Sequence, residues 1–142
     1  MTTSTPSRSV QASGRGAAVG AATLAILNGI FWALLAQSAA EGADIYAARE
    51  VGMQASDLAR KLRQLTYICG VESIIWFASS MLLLCRRSLG RTLVIASSAF
   101  AILHLVGTAI GDSHLIPLAL AILPLITLIL ASARSTGRWV AA

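Results

Sequence analysis

Glu72 lies inside ICGVESIIWFASSMLLLC, residues 68–85, a stretch otherwise almost wholly apolar and closed by Arg86 and Arg87. Two other polar side chains interrupt apolar runs in the same way: Asn28 in ATLAILNGIFWALL and His104 in AFAILHLVGTA. A carboxyl, an imidazole and a carboxamide at such places allow two kinds of chemistry. Converging on one point, they bind or pass a proton or a cation. Separately, they hydrogen-bond across helices and fix packing. An acidic side chain near the centre of a bilayer costs about 2.5–3.5 kcal/mol. That cost falls when the group faces other helices, is protonated or meets a donor.

Their heights can be read from helical rise. Glu72 is 14 residues from Arg86, His104 is 13 from Arg91 and Asn28 is 13 from Arg15. At 1.5 Å per residue, all three lie about 19–21 Å from the arginine-marked edge. Equal height on two spans joined by a short loop predicts that Glu72 faces His104, with Asn28 as a third member of an intramembrane polar cluster. Trp76 is one turn from Glu72 on the same face, and Trp32 one turn beyond Asn28. Both can line a pocket there, or simply pack between helices.

Other chemistries find no residues. There is no Cys-x-x-Cys, no haem-attachment motif, no phosphate-binding glycine loop and no serine hydrolase elbow. Cys69 and Cys85 are 16 residues apart in one apolar run, about 24 Å on a helix. A disulfide needs Cα atoms within about 7 Å, so the two cannot pair within the chain. Asp112 and His114 in GDSHLIP are close enough to hold a metal weakly, but a solvated turn is the better reading. No cofactor, metal centre or catalytic set is expected.

The elements that carry these residues follow from composition. Of 142 residues, 56% are apolar and 12% charged, about half the charge of an ordinary soluble domain. The apolar residues fall into four blocks near 17–40, 68–85, 92–111 and 116–132, each close to the length that crosses a bilayer. The expected fold is an all-α membrane protein, four transmembrane helices in an antiparallel bundle occupying 17–133. Net charge is +5, but the arginines cluster at block ends and form no single basic face, which argues against nucleic acid.

Seven basic residues (Arg8, Arg15, Arg86, Arg87, Arg91, Arg134 and Arg138) fall on one side of this topology and four (Arg49, Arg60, Lys61 and Arg63) on the other. The positive-inside rule then places both termini in the cytoplasm of a cell whose inner membrane the chain spans. Residues 1–16, rich in Ser, Thr and Gly, read as a disordered cytoplasmic tail. Residues 134–142 form a second tail, with Trp139 as an interfacial anchor. The external loop, 41–67, carries Leu58, Leu62 and Leu65 at helical spacing. It is expected to contain an amphipathic helix, lying on the outer leaflet or running straight into the second span. The first span also resembles a secretory signal ending in SAAEG, with a cut before Glu41 as the alternative to a retained span.

Two packing signals stand out. Ala18, Ala22, Ala25, Gly29, Ala33 and Ala36 share a face of the first span. Ala25, Gly29 and Ala33 form a small-xxx-small series suited to a second copy or another membrane protein. Pro124 in LAILPLITLIL predicts a kink in the fourth span.

Four spans, a Ser/Thr-rich N-terminus, RRSLGR between spans two and three and STGRW after span four resemble small actinobacterial, mycobacterial-type four-span membrane proteins of unknown function. The resemblance is architectural and implies no site residues. The leading expectation is a non-enzymatic accessory or scaffolding subunit of a cell-envelope or transport complex. The alternative is a small proton-coupled transporter acting as a homodimer, with Glu72 as the coupling carboxylate. Small multidrug exporters are similar in having four spans and one membrane glutamate, although theirs lies in the first span.

Overall fold

In a computed structural model, residues 8–48, 52–112 and 116–141 are described, and they are almost entirely helical. These are α1 (Arg8–Ala48), α2 (Gly52–Leu84), α3 (Ser88–Asp112), α4 (Ile116–Leu120), α5 (Ile122–Ser132) and α6 (Arg134–Ala141). Segments Arg15–Ala48, Ala55–Leu84 and Ser88–Ile110 are long and apolar enough to cross a membrane. A fourth span is reached if Pro117–Ser132 and Arg134–Ala141 are taken together across a 57° bend.

Burial is inverted relative to a water-soluble protein. Large apolar side chains point outward: Ile74 is 69% exposed, Leu103 72% and Ile110 77%. Ser79, Ser80, Ser98 and Thr127 are buried. An apolar exterior over an interior of small and polar residues suits lipid, where only satisfied backbone can be exposed.

The central pairing is α1 against α2. Buried and half-buried residues of α1 run Ala18, Ala22, Ala25, Gly29, Trp32, Ala36, Ala39 and Ala43, alternating steps of four and three. Those of α2 run Ala59, Leu62, Thr66, Cys69, Ser73, Trp76, Ser80 and Leu83 in the same rhythm. A 3.5-residue repeat on both partners is the pattern of left-handed supercoiled packing. A Cβ on Gly29 would lie 3.2 Å from the Phe77 ring, and the Ser73 hydroxyl donates to the Gly29 carbonyl at 2.9 Å. Gly29 thus lets α2 press directly on the α1 backbone. Ala25 and Gly29 are therefore occupied within the chain, not free for a partner. Ala33 is exposed, because a strict four-residue step drifts about 50° off a seam repeating every 3.5.

Several boundaries differ from expectation. Residues 8–16 are helical, because extending an existing helix adds one hydrogen bond per residue without a new nucleus. Residues 1–7 lie outside the described residues. Most of 41–67 is helix, not loop: α1 continues to Ala48, and the amphipathic segment is the start of α2 running straight into the apolar stretch. At roughly 60 Å and 50 Å, both helices exceed the hydrocarbon thickness of about 30 Å. Residues 134–141 are the helix α6, which packs on α1 and α3. Proline 124 has no N–H for the Leu120 carbonyl, and the helix is interrupted at Ala121, one turn earlier. The sharp bend, however, is at Ala133, whose ψ of 141° leaves the helical region.

The turn between α2 and α3 is tightly built. Arg87 N–H bonds to the Leu82 carbonyl at 2.9 Å and Arg86 N–H to Leu83 at 3.1 Å, with Arg86 at φ 57°. This is a Schellman closure with arginine where glycine is usual. Gly90 then passes against the α2 backbone: an added Cβ would meet Leu83 Cα at 2.8 Å and its amide nitrogen closer still. Replacing Gly90 by Ala should destabilise the detergent-solubilised protein by about 1–3 kcal/mol. Gly107→Ala, in open space, should be neutral or stabilising by up to about 1 kcal/mol. Thermal unfolding of the two variants checks this.

Candidate functional site

Asn28 is 1% exposed and faces α5. Its Nδ2 donates to the Leu24 carbonyl at 3.0 Å and to the Thr127 hydroxyl oxygen at 3.1 Å. The Thr127 hydroxyl in turn donates to the Leu123 carbonyl at 2.8 Å. The result is a short relay tying α1 to α5 one turn past Pro124. Thr127 was readable only as a lone polar residue in LPLITLIL. Its height matches Asn28, and nothing in the spacing singles it out as the partner.

His104 does not meet Glu72. Its ring lies 5.8 Å from that of Trp32 at 55° and 6.3 Å from that of Phe100 at 8°, and Trp32 also packs edge-on against Phe31. Among the described residues no hydrogen bond or ion pair joins His104 to Glu72; the one ion pair is Arg60–Asp57, at 3.0 Å. The expected cluster is therefore divided into three: Asn28 with Thr127, His104 with aromatic rings, and Glu72 apart. Helical rise fixes height, but the rotation of α3 about its axis decides which neighbour a side chain meets. That rotation aims His104 at α1.

Glu72 is 7% exposed, on the buried face of α2 that also carries Cys69, Ser73 and Trp76. Its Oε2 has no hydrogen-bond partner, and neither has Nε1 of Trp76. The indole N–H is near enough to act on the carboxyl but falls short of hydrogen-bond geometry. An acid and a donor thus stand side by side, both removed from solvent. Buried unpaired polar groups each cost about 1–3 kcal/mol, so among the described residues this is the one costly polar position of the interior. Trp76 is 0% exposed and belongs to the apolar core with Leu83, Val94 and Ala101.

Trp32 does line a cavity. A cleft of about 280 Å³ opens between α1, α3 and the α4–α5 run, walled by Trp32, Leu105, Leu120, Leu123 and Pro124, with Asn28 at its edge. Its lining side chains are apolar apart from Asn28. No group of three or more His, Cys, Asp or Glu side chains able to hold a metal occurs among the described residues. His114 lies outside them. Cys69 is buried and Cys85 exposed, and both thiols are free.

At the other end of the helices, Arg91 supplies a contact that the sequence marked only as a charge. Its Nε donates to the Ala131 carbonyl at 2.9 Å and its Nη2 to Ser132 at 3.1 Å, while the Thr136 hydroxyl donates to Leu130 at 2.7 Å. The last carbonyls of α5, left without intrahelical donors, are capped by side chains from α3 and α6.

No family model, curated protein or solved structure shows significant similarity to the chain.

The couplings follow from the geometry. Asn28→Ala and Thr127→Val should be non-additive, with an interaction of about 0.6 kcal/mol and at most about 1.7. Glu72→Ala and His104→Ala should add within about 0.5 kcal/mol. Two double-mutant cycles, read by unfolding in detergent, measure both values.

Proposed function

We propose that the chain is a non-enzymatic inner-membrane protein, crossing the bilayer four times as an antiparallel helical bundle with both termini cytoplasmic. In this reading it is an accessory or scaffolding subunit of a cell-envelope or transport complex. The observation that carries the reading is how the intramembrane polar side chains are used. Asn28 and Ser73 bond across helices, and the His104 ring packs against Trp32 at a tilt, so the polar groups hold helices together and do not converge on a reaction centre. The partner-facing element is the end of the α1–α2 pair that extends past the apolar stretches. There Ile45, Tyr46 and Leu58 are exposed among residues of both charges.

Orientation is testable with the thiols already present. Cys85 is exposed at the arginine-rich end and Cys69 is buried. A membrane-impermeant maleimide should leave Cys85 unlabelled in intact cells and label it after permeabilisation. In a Leu58→Cys variant the new thiol should react in intact cells. The reverse pattern overturns the topology. A partner should co-purify with the wild-type chain in mild detergent, and Ile45→Ser with Leu58→Ser should release it. Recovery of the bare chain from both preparations counts against the scaffolding role.

The second reading, a proton-coupled homodimeric transporter, draws on the unpaired Glu72 carboxyl beside the Trp76 indole. Growth in toxic cations separates the two. Resistance conferred by the wild type and lost in Glu72→Gln favours transport, whereas equal growth of the two strains favours scaffolding.

A further inference from the structure

The antiparallel run of the helices brings the start of α1, the α2–α3 turn and the end of α5 to one level. Arg15, Arg86, Arg87, Arg134 and Arg138 are all exposed there. Among the described residues no acidic side chain occurs at this end: Glu41, Asp44, Asp57 and Asp112 lie toward the opposite end, and Glu72 is inside. Arg91 is bound to α5 carbonyls, but among the described residues the exposed arginines have no carboxylate partner, and the one ion pair there is at the far end.

Two further features shape this surface. Helix α6 turns 57° from the preceding run and packs on α1 and α3. Thr136 is buried, Trp139 and Val140 are half-buried, and Arg134 and Arg138 point outward. The Arg86 guanidinium sits 3.9 Å over the Trp139 ring, an attraction that offsets the unfavourable backbone of Arg86 at φ 57°. An aromatic ring and a row of guanidinium groups are thus fixed at the edge of the apolar stretches, the level of lipid phosphates.

We propose that this end binds the headgroups of anionic phospholipids, with Arg134 and Arg138 on α6 and Arg87 on the α2–α3 turn contacting the phosphates. The ligand class follows from charge complementarity and depth. Unpaired arginines at the hydrocarbon boundary face phosphodiesters directly, and guanidinium matches phosphate in a bidentate fork. The inference rests on the chain lying in a bilayer, but not on its scaffolding role. The far end, with Arg60, Lys61 and Arg63 interspersed with acids, lacks this one-sign field and serves as an internal control.

The test titrates the purified full chain in neutral detergent with phosphatidylglycerol, counting bound lipid by native mass spectrometry. Phosphatidylglycerol should bind and phosphatidylcholine should not. Arg134→Gln with Arg138→Gln should weaken binding about five-fold for each arginine removed. Lysine at the same two positions should bind more tightly than Gln but less tightly than arginine, since it keeps the charge and loses the bidentate fork. Gln at Arg60, Lys61 and Arg63 should leave it unchanged. Equal binding of phosphatidylcholine, or undiminished binding in the Arg134→Gln, Arg138→Gln variant, overturns the proposal. Displacement of the lipid by matched inorganic phosphate also overturns it, since the site would then belong to a soluble anion.

Discussion

The close approach of α1 and α2 at Gly29 is the constraint on which the rest of the structure depends. With hydrogen in place of a side chain, the α1 backbone accepts the Phe77 ring in contact and offers its carbonyl to Ser73. Lipid tails are as apolar as the helices, so burial of apolar area gives no drive for association there. Tight van der Waals packing and satisfied polar groups must supply it. The α1–α2 pair meets both needs along a seam of alanine, glycine, serine and threonine, broken by Trp32 and Trp76. Helices α3, α5 and α6 then pack against this pair.

Within that frame most buried hydroxyls are conservative in their bonding. Ser79, Ser80 and Ser98 donate to carbonyls of Trp76, Phe77 and Val94 in the preceding turn of their own helices. They fill space and satisfy themselves, which allows helices to approach without leaving a polar debt in a low dielectric. Among the described residues the inter-helix bonds are fewer and sit at defined places: Ser73 to Gly29, Asn28 to Thr127, and Arg91 and Thr136 to the end of α5. Glu72 and Trp76 depart from this economy, each keeping an unpaired polar atom in the interior.

The sequence made the apolar helices legible, because runs near twenty residues closed by arginines leave few alternatives. It also placed Asn28, His104 and Glu72 at one height. It could not say that His104 would turn to Trp32, because rotation of a helix about its axis depends on all of its contacts. The small-residue face of α1 was visible too. Its use was not, since Ala25–Gly29–Ala33 reads as one ridge on a straight helix, while the observed seam leaves Ala33 outside. Polar composition hid the helices at both margins. Residues 8–16 extend a helix already formed, and 134–141 gain their fold from α1 and α3, information that lies more than a hundred residues away for the first of these partners.

That last separation has a consequence for biosynthesis. Helix α1 is the first described element to leave the ribosome and α6 the last, yet they pack against one another. Through most of translation the N-terminal helix therefore waits beside membrane lipid or the insertion machinery with part of its alanine face uncovered. A polypeptide released before Arg134 would hold α1 to α5 and yet lack the helix that packs on both α1 and α3. Such a fragment is distinguishable from the chain that carries α6 by its open arginine-rich end, a feature that membrane quality control could recognise without reading any other part of the fold.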